Sequence, residues 1–253
     1  MPPGMFRLKP ALWPTLFTLP TLVLALGLGF WQLERREWKR DILDRIATNQ
    51  AAPVMPFADL LAADPQRHEY GKVRLAGTFM HEREFHLAAR NHRNKVGLQI
   101  VTPVRLDDGR IVLFNRGWVP SERKDPARRA EGQLAGRQEL SGVVRRTQTG
   151  RWMAPENAPD KNVWFHVDVP AIRALAGASP DARLDRFFIE ADDRANPGGI
   201  PIGGQTRLDI PNDHLQYAIT WFLVALSLIG VYLAFHWQNG WLTVAGRRRP
   251  DGA

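Results

Sequence analysis

"LQYAITWFLVALSLIGVYLAFHW", residues 215–237, contains no Asp, Glu, Lys or Arg. At about 1.5 Å of rise per residue, such a run crosses the roughly 30 Å hydrocarbon layer of a bilayer as one α-helix. A second uncharged run, "WPTLFTLPTLVLALGLGFWQL", occupies residues 13–33. Aromatic side chains stand near the ends of both: Trp13 and Trp31 in the first, Tyr217, Trp221 and Trp237 in the second. That is the composition of a membrane–water interface. The alternative, two helices buried in a soluble core, fits poorly, because uninterrupted apolar runs longer than about 18 residues are rare there. Arg7 and Lys9 precede the first run, and no clear small-residue cleavage site follows Gly29, so it reads as an uncleaved signal anchor. Pro14 and Pro20 are candidate kink positions in its first half.

The chain has 253 residues and a formal net charge of +8, carried mostly by arginine. The basic residues flank the spans and dot the middle of the chain, with no aromatic-interleaved basic stripe, so lipid headgroups rather than nucleic acid are the expected partner. There is no cysteine. Disulfides, iron–sulfur ligation, thiol redox chemistry and covalent haem attachment are therefore excluded, and a thiolate copper carrier is disfavoured. Two spans place both termini on one side. Arg247, Arg248 and Arg249 after the second span mark that side as cytoplasmic, although Arg35, Arg36, Lys39 and Arg40 follow the first span. The expected layout is a cytoplasmic N-terminus (1–12), a transmembrane helix (13–33), an outward-facing domain (34–211), a second transmembrane helix (212–237) and a basic cytoplasmic tail (238–253).

Within the middle, Trp38, Ile42, Leu43 and Ile46 recur at helical spacing, which predicts that the first helix continues to about residue 49 and stops before Pro53 and Pro56. Then the period shortens to two. Strands are expected at 70–79, 84–89, 97–106, 110–119, 138–147, 163–168 and 186–191, with 84–89 a candidate partner of 70–79. Asp107–Asp108–Gly109 is expected to turn a hairpin, and short helices fit 123–131 and 170–176. Two transmembrane α-helices flanking a mainly antiparallel β domain, barrel or sandwich, is the fold class these patterns predict. Residues 148–162 and 192–211 read as irregular connectors.

No GxSxG, HExxH, P-loop or post-strand GxGxxG motif is present, which speaks against an enzyme. Seven histidines are present; five fall in the strand domain without metal-ligand spacing and are expected to be exposed. His214 differs by position. If the second helix begins near Asn212, with Asn212 or Asp213 capping it, then His214, Tyr217 and Trp221 fall on one face with Thr220 beside them. That is a ring-stacking surface with one nitrogen ligand at its end, as an axially ligated haem requires. Trp31 and Gln32 lie at similar depth on the first span. Ala25, Gly29, Ser227 and Gly230 are candidates for close helix approach. The competing reading of His214 is an interfacial side chain that snorkels to water. His236, at the other end of the span, is a rival site.

Four motifs, in order, resemble the Surfeit-locus-one family of cytochrome c oxidase assembly factors: "GFWQLERREWK" (29–39), "LFNRGWVP" (113–120), "APENAPDKNVWFHVD" (154–168) and "GGIPIGGQTRLDIPNDHLQYAITWF" (198–222). The resemblance covers nearly the whole chain. It implies a non-enzymatic assembly factor that binds haem a non-covalently and delivers it to the core subunit of a haem–copper oxidase, with haem a synthase as a further partner. A membrane-anchored scaffold without haem is the alternative. The family's histidine corresponds to His214, the expected iron ligand, with Tyr217, Trp221, Trp31 and Gln32 as pocket residues and Arg207 as a partner for the haem propionates. Arg116 and Trp118 are expected to be structural or partner-facing, and Trp118 and Trp152 to be exposed aromatics on the recognition surface. The lack of an Arg/Ser-rich transit segment favours a bacterial inner-membrane protein.

Overall fold

The computed structural model describes residues 6–150, 153, 155–208 and 210–244. In chain order the elements are β1 (Phe6–Leu8), α1 (Leu12–Ala51), β2 (Met55–Pro56), α2 (Phe57–Ala62), β3 (Lys72–Phe79), β4 (Phe85–His92), β5 (Lys95–Leu106), β6 (Ile111–Pro120), β7 (Arg137–Arg146), α3 (Val169–Leu175), β8 (Phe187–Ala191), α4 (His214–Gln238) and β9 (Leu242–Val244). They form two units, one from the chain ends (1–43 and 210–253) and one from the middle (44–209). The basic tail at Arg247–Arg249, and Trp152, lie outside the described residues.

In the unit of the chain ends, α1 and α4 are both long and apolar enough to cross a membrane, and only 11% of each apolar stretch is buried. A core helix would be buried on most faces, so the alternative of a soluble core fails. α1 runs unbroken through Pro20 and ends at Ala51, just before Pro53. The less exposed positions recur in alternating steps of four and three: Thr18, Leu22, Ala25, Gly29, Gln32 and Arg36 on α1, and His214, Ala218, Trp221, Ala225, Leu228 and Tyr232 on α4. A mean step of 3.5 residues keeps one seam facing a partner helix. The pairing is antiparallel: Thr15 Oγ1 meets the Tyr232 hydroxyl at 2.7 Å, Phe30 stacks edge-on with Phe222 at 5.4 Å, and Asn212 Nδ2 donates to the Arg36 carbonyl at 3.5 Å. Ala25 and Gly29 do lie on the seam, and a Cβ at Gly29 would stand 2.7 Å from the Phe222 ring. Ser227 and Gly230 do not; the former is exposed and the latter has open space beside it. Ala218 and Ala225 take that role on α4. Beyond the helices, β1 and β9 pair antiparallel.

The middle unit is a closed barrel. β3 pairs with β7, β7 with β8, β8 with β6, β6 with β5, and β5 back with β3. Five strands cannot alternate direction all the way round a ring, so one neighbouring pair must be parallel; that pair is β6–β8. The other four are antiparallel. Alternation sorts side chains: Val112, Phe114, Phe187 and Ile189 fill the interior with Val73, Leu75 and Val104, and α2 closes it with Phe57, Leu60 and Leu61. Leu113 and Phe188 point outward into a second core with Trp164, Val169 and Ile172. β6 is therefore buried on both faces, which explains why its sequence lacks a polar side.

Several expectations are corrected. β4 pairs with β5, not β3, through a turn whose Arg93 and Asn94 both have positive φ. Residues 163–168 make no strand: the Asn157 side-chain oxygen accepts from the backbone N–H groups of Phe165 and His166, leaving only isolated bridges at Val163 and Trp164. The expected helix at 123–131 is a pair of 3₁₀ turns, Ser121–Arg123 and Pro126–Gly132. The histidines of this unit are half-buried rather than exposed; His81 bonds the Leu134 carbonyl, His92 bonds Gln205, and His166 bonds Asn157.

Buried charge is paired. Glu84 receives both guanidinium nitrogens of Arg129, with Arg116 at 3.6 Å. Burial alone would raise the Glu84 pKa, but hydrogen bonds from His81 and Arg129 and the charges of Arg129 and Arg116 outweigh it and hold the pKa at about 2. Burial, reinforced by the Lys124 charge, lowers His86 to about 4. Both shifts make the unfolded chain bind more protons than the folded one, so stability falls on acidification. His86 contributes between about pH 6.5 and 4, and Glu84 between about 4.5 and 2. The His86→Phe variant should lose the upper limb, a stability change of about 3 kcal/mol, read as the unfolding midpoint in denaturant from pH 7 to 4. Gly117 supplies a second test. It has φ +113, and an added Cβ would stand 1.9 Å from the Ile202 carbonyl oxygen, whereas Gly109 (φ +84) has open space. Gly117→Ala should cost about 2–4 kcal/mol and Gly109→Ala only about 1 kcal/mol by denaturant titration.

Candidate functional site

The seam between α1 and α4 ends in two histidines, and their surroundings differ. His236 is fully buried. Its Nε2 accepts the Ala11 backbone N–H at 3.2 Å, and its Nδ1 lies 2.8 Å from the Tyr232 carbonyl. Tyr232 stacks on it at 4.0 Å, and Phe235 and Trp241 meet its ring edge-on. Both ring nitrogens are engaged, Nε2 by the other chain end and Nδ1 within α4 itself, so the rival site is a structural clamp.

His214 is the first residue of α4 and is partly exposed. Its Nδ1 lies 2.7 Å from Oε1 of Gln32 on α1. An amide oxygen only accepts, so Nδ1 carries the proton and Nε2 keeps its lone pair. No hydrogen bond engages Nε2 among the described residues. A metal-ligating imidazole has this arrangement: the far nitrogen is tied down by an acceptor that fixes tautomer and orientation, and the near one stays open. No group of three or more His, Cys, Asp or Glu able to hold a bare metal ion exists among the described residues. The donor set therefore fits a metal that brings most of its own ligands, as haem iron does.

Other expected residues sort unevenly. Trp221 shares the seam with His214 and is partly buried. Tyr217 does not; it is exposed, and Ala218 holds the seam position one residue on, because the seam steps by four from His214 before it steps by three. Trp31 is exposed beside Gln32. Thr220 spends its hydroxyl on the Gln216 carbonyl one turn back. Asp213 occupies the helix N-cap without a side-chain capping bond, and Asn212 reaches to Arg36 instead, so the expected cap does not form and the first-turn N–H groups keep no side-chain acceptor. Arg207 belongs to the middle unit, where it is exposed at the rim of a polar cleft.

Arg116 is 1% exposed and bonds the Gly132 carbonyl inside the barrel unit, so it is structural. Trp118, expected on the surface, is 5% exposed. Its ring lies against Gly97 and His92, and its indole N–H donates to the Arg90 carbonyl at 3.0 Å. Phe30 and Phe222, in edge-on contact between the two helices, were not anticipated.

Comparison with known proteins agrees with this arrangement. The profile of the SURF1 family matches residues 19–226, which takes in α1, the barrel and the first half of α4. Surfeit locus protein 1 of Homo sapiens is 36% identical over 232 residues, covering 84% of this chain and 73% of the human one. The Mus musculus protein of the same name is 35% identical over 224 residues, covering 81% and 70%. A SURF1-like protein of Monosiga brevicollis is 31% identical over 245 residues, covering 90% and 88%. With one apolar helix before and one after a small barrel in chain order, and with a family match over most of its length, the chain belongs to the SURF1 family.

Proposed function

We propose that this protein is a membrane-anchored assembly factor for a haem–copper oxidase and that His214 ligates haem a on its way to the oxidase core subunit. Family membership supports the coarser part, a role in cytochrome c oxidase assembly. The observation that carries the finer part is the contrast between the two seam histidines. His236 has both ring nitrogens engaged, whereas His214 has one nitrogen fixed by Gln32 and the other open.

His214 would hold a bound haem through its open ring nitrogen, and the haem would supply the iron. The chain's own contribution is orientation and tautomer. Gln32 holds the proton on Nδ1, so His214 presents a neutral Nε2 at the end of the helix pair. Trp221, with Trp31, supplies aromatic surface for a flat apolar ring. One protein ligand makes the attachment reversible, which suits a carrier that gives its cargo up. This role is transfer rather than catalysis. The two spans and the Arg247–Arg249 tail support a membrane protein with cytoplasmic termini and an outward-facing barrel, and the compartment proposed for it is the bacterial inner membrane with the barrel in the periplasm. Haem a synthase upstream and the oxidase core subunit downstream are the partners this role requires.

The test is pigment. Protein purified from a host that makes haem a should carry haem; His214→Ala should lose at least about tenfold in haem per folded protein, while His236→Ala keeps its visible spectrum and loses thermal stability. Gln32→Leu should weaken binding about 10- to 100-fold with the iron still imidazole-bound. A colourless wild-type protein would identify a scaffold without haem, and equal pigment with an unchanged spectrum in His214→Ala would remove His214 as the ligand. Reporter fusions within residues 44–208 should be active on the periplasmic side.

A further inference from the structure

A cleft of about 710 Å³ opens on the barrel unit, well within the size range of small-molecule sites. Four arginines line it, Arg90, Arg145, Arg146 and Arg207, against two carboxylates, Glu69 and Glu190. The imbalance matters because two of the arginines are largely withdrawn from water without full partners. The Arg145 side chain is 16% exposed and its guanidinium lies over the Tyr70 ring at 4.4 Å. Glu190 stands 3.6 Å from its Nη1 and Glu69 stands 4.0 Å from its Nε. Both separations exceed hydrogen-bond distance, and the nearer Glu190 oxygen already accepts from Thr206 at 2.7 Å. Arg90 donates one Nη2 bond to the Phe165 carbonyl, and no carboxylate oxygen lies within 4.0 Å of it among the described residues.

The buried side-chain atoms of the cleft that lack a hydrogen-bond partner among the described residues are all donors. The Nε–H of Arg90 and that of Arg145 are buried without an acceptor among the described residues. His166 receives the Asn157 amide at Nε2, which places its proton on Nδ1, and that nitrogen too is buried without a partner. Gln99 and Gln148 line the same cleft with their oxygens already engaged, by Asn115 Nδ2 and by the Val167 backbone N–H, so each has its NH₂ group left. Unpartnered buried donors are costly and uncommon. Here they accompany uncompensated positive charge in one concavity, and Tyr70, Phe165 and Leu87 add apolar wall.

We propose that this cleft is a binding site for an organic oxyanion, a small molecule that carries a carboxylate or phosphate group. The charge and the donors select for a multi-oxygen anion, which accepts several N–H groups at once, and guanidinium forks suit both chemistries. The volume calls for an organic body behind the anionic group, since a bare inorganic ion would leave most of the space to solvent. The site is independent of His214 and needs no haem.

The experiment uses the full-length, haem-free protein in a neutral detergent. Thermal unfolding and calorimetric titration are followed with citrate and with inorganic pyrophosphate, against sodium chloride of matched ionic strength and against glycerol. At least one anion should bind in the micromolar to millimolar range and raise the midpoint by several degrees beyond the salt control. The arm that responds assigns carboxylate or phosphate. Arg145→Gln should abolish the shift. Should that variant fail to fold, Arg146→Glu at the half-exposed rim should weaken binding at least fivefold, while Arg105→Gln, exposed and outside the cleft, should bind as the wild type does. No shift beyond matched salt with either anion, or equal weakening in Arg105→Gln and Arg146→Glu, overturns the proposal whatever the pigment of His214→Ala.

Discussion

A ring of five strands cannot be antiparallel throughout, and the middle of this protein is organised by that constraint. One neighbouring pair has to run parallel, and the chain meets the requirement with β8 inserted between β6 and β7. β7 and β8 are antiparallel neighbours with Arg146 opposite Phe187, yet no tight turn joins them; a long crossover loop, residues 147–186, leaves one and returns to the other over the outside of the barrel. The crossover has little regular structure, and side chains do the backbone's work. Asn157 caps two N–H groups, and Asn162 donates to the Glu84 carbonyl while accepting from the His86 backbone and the Trp164 indole. Trp164 anchors the whole segment in the outer core. Asn157, Asn162 and Trp164 of the 154–168 motif are thereby explained as the fittings of that loop.

The helix pair solves a different problem. Lipid gives two apolar helices no hydrophobic reason to associate, so close packing and polar contacts must do it. Ala25, Gly29, Ala218 and Ala225 provide the close packing. The polar contacts sit toward the ends: Thr15 with Tyr232 and Ala11 with His236 at one, Gln32 with His214 and Arg36 with Asn212 at the other. The ends are not equivalent. At His236 every hydrogen-bonding atom of the imidazole is used, so that end is a fastening. At His214 the fastening uses one nitrogen and leaves the other without a hydrogen-bond partner among the described residues.

The polar interior of the barrel unit divides in the same way. Glu84 with Arg129 and Arg116 is closed on itself: Arg129 forks onto the carboxylate, Arg116 stands 3.6 Å from it and bonds the Gly132 carbonyl, and the low carboxyl pKa expresses that closure. The cleft beside Arg90 and Arg145 is open, with donors outnumbering acceptors. Arginine-rich composition says nothing about which arginines belong to which class; only the partner geometry does.

Local pattern alone determined the two spans, the continuation of the first helix to its proline stop, most of the strands and the β5–β6 hairpin, because each depends on neighbours within a few residues or on a run of uniform hydropathy. The motif order likewise pointed to the family. Tertiary structure decided what depends on distant partners. β4 joins β5 because of a left-handed turn at Arg93–Asn94; residues 163–168 lose their strand to the Asn157 side chain; Trp118 is buried by Gly97 and His92. Tyr217 leaves the site face because the seam is set by the partner helix rather than by a simple three-residue step. The Gln32–His214 pair joins residues 182 positions apart, and no local rule of spacing could place an acceptor on one nitrogen of that ring while sparing the other.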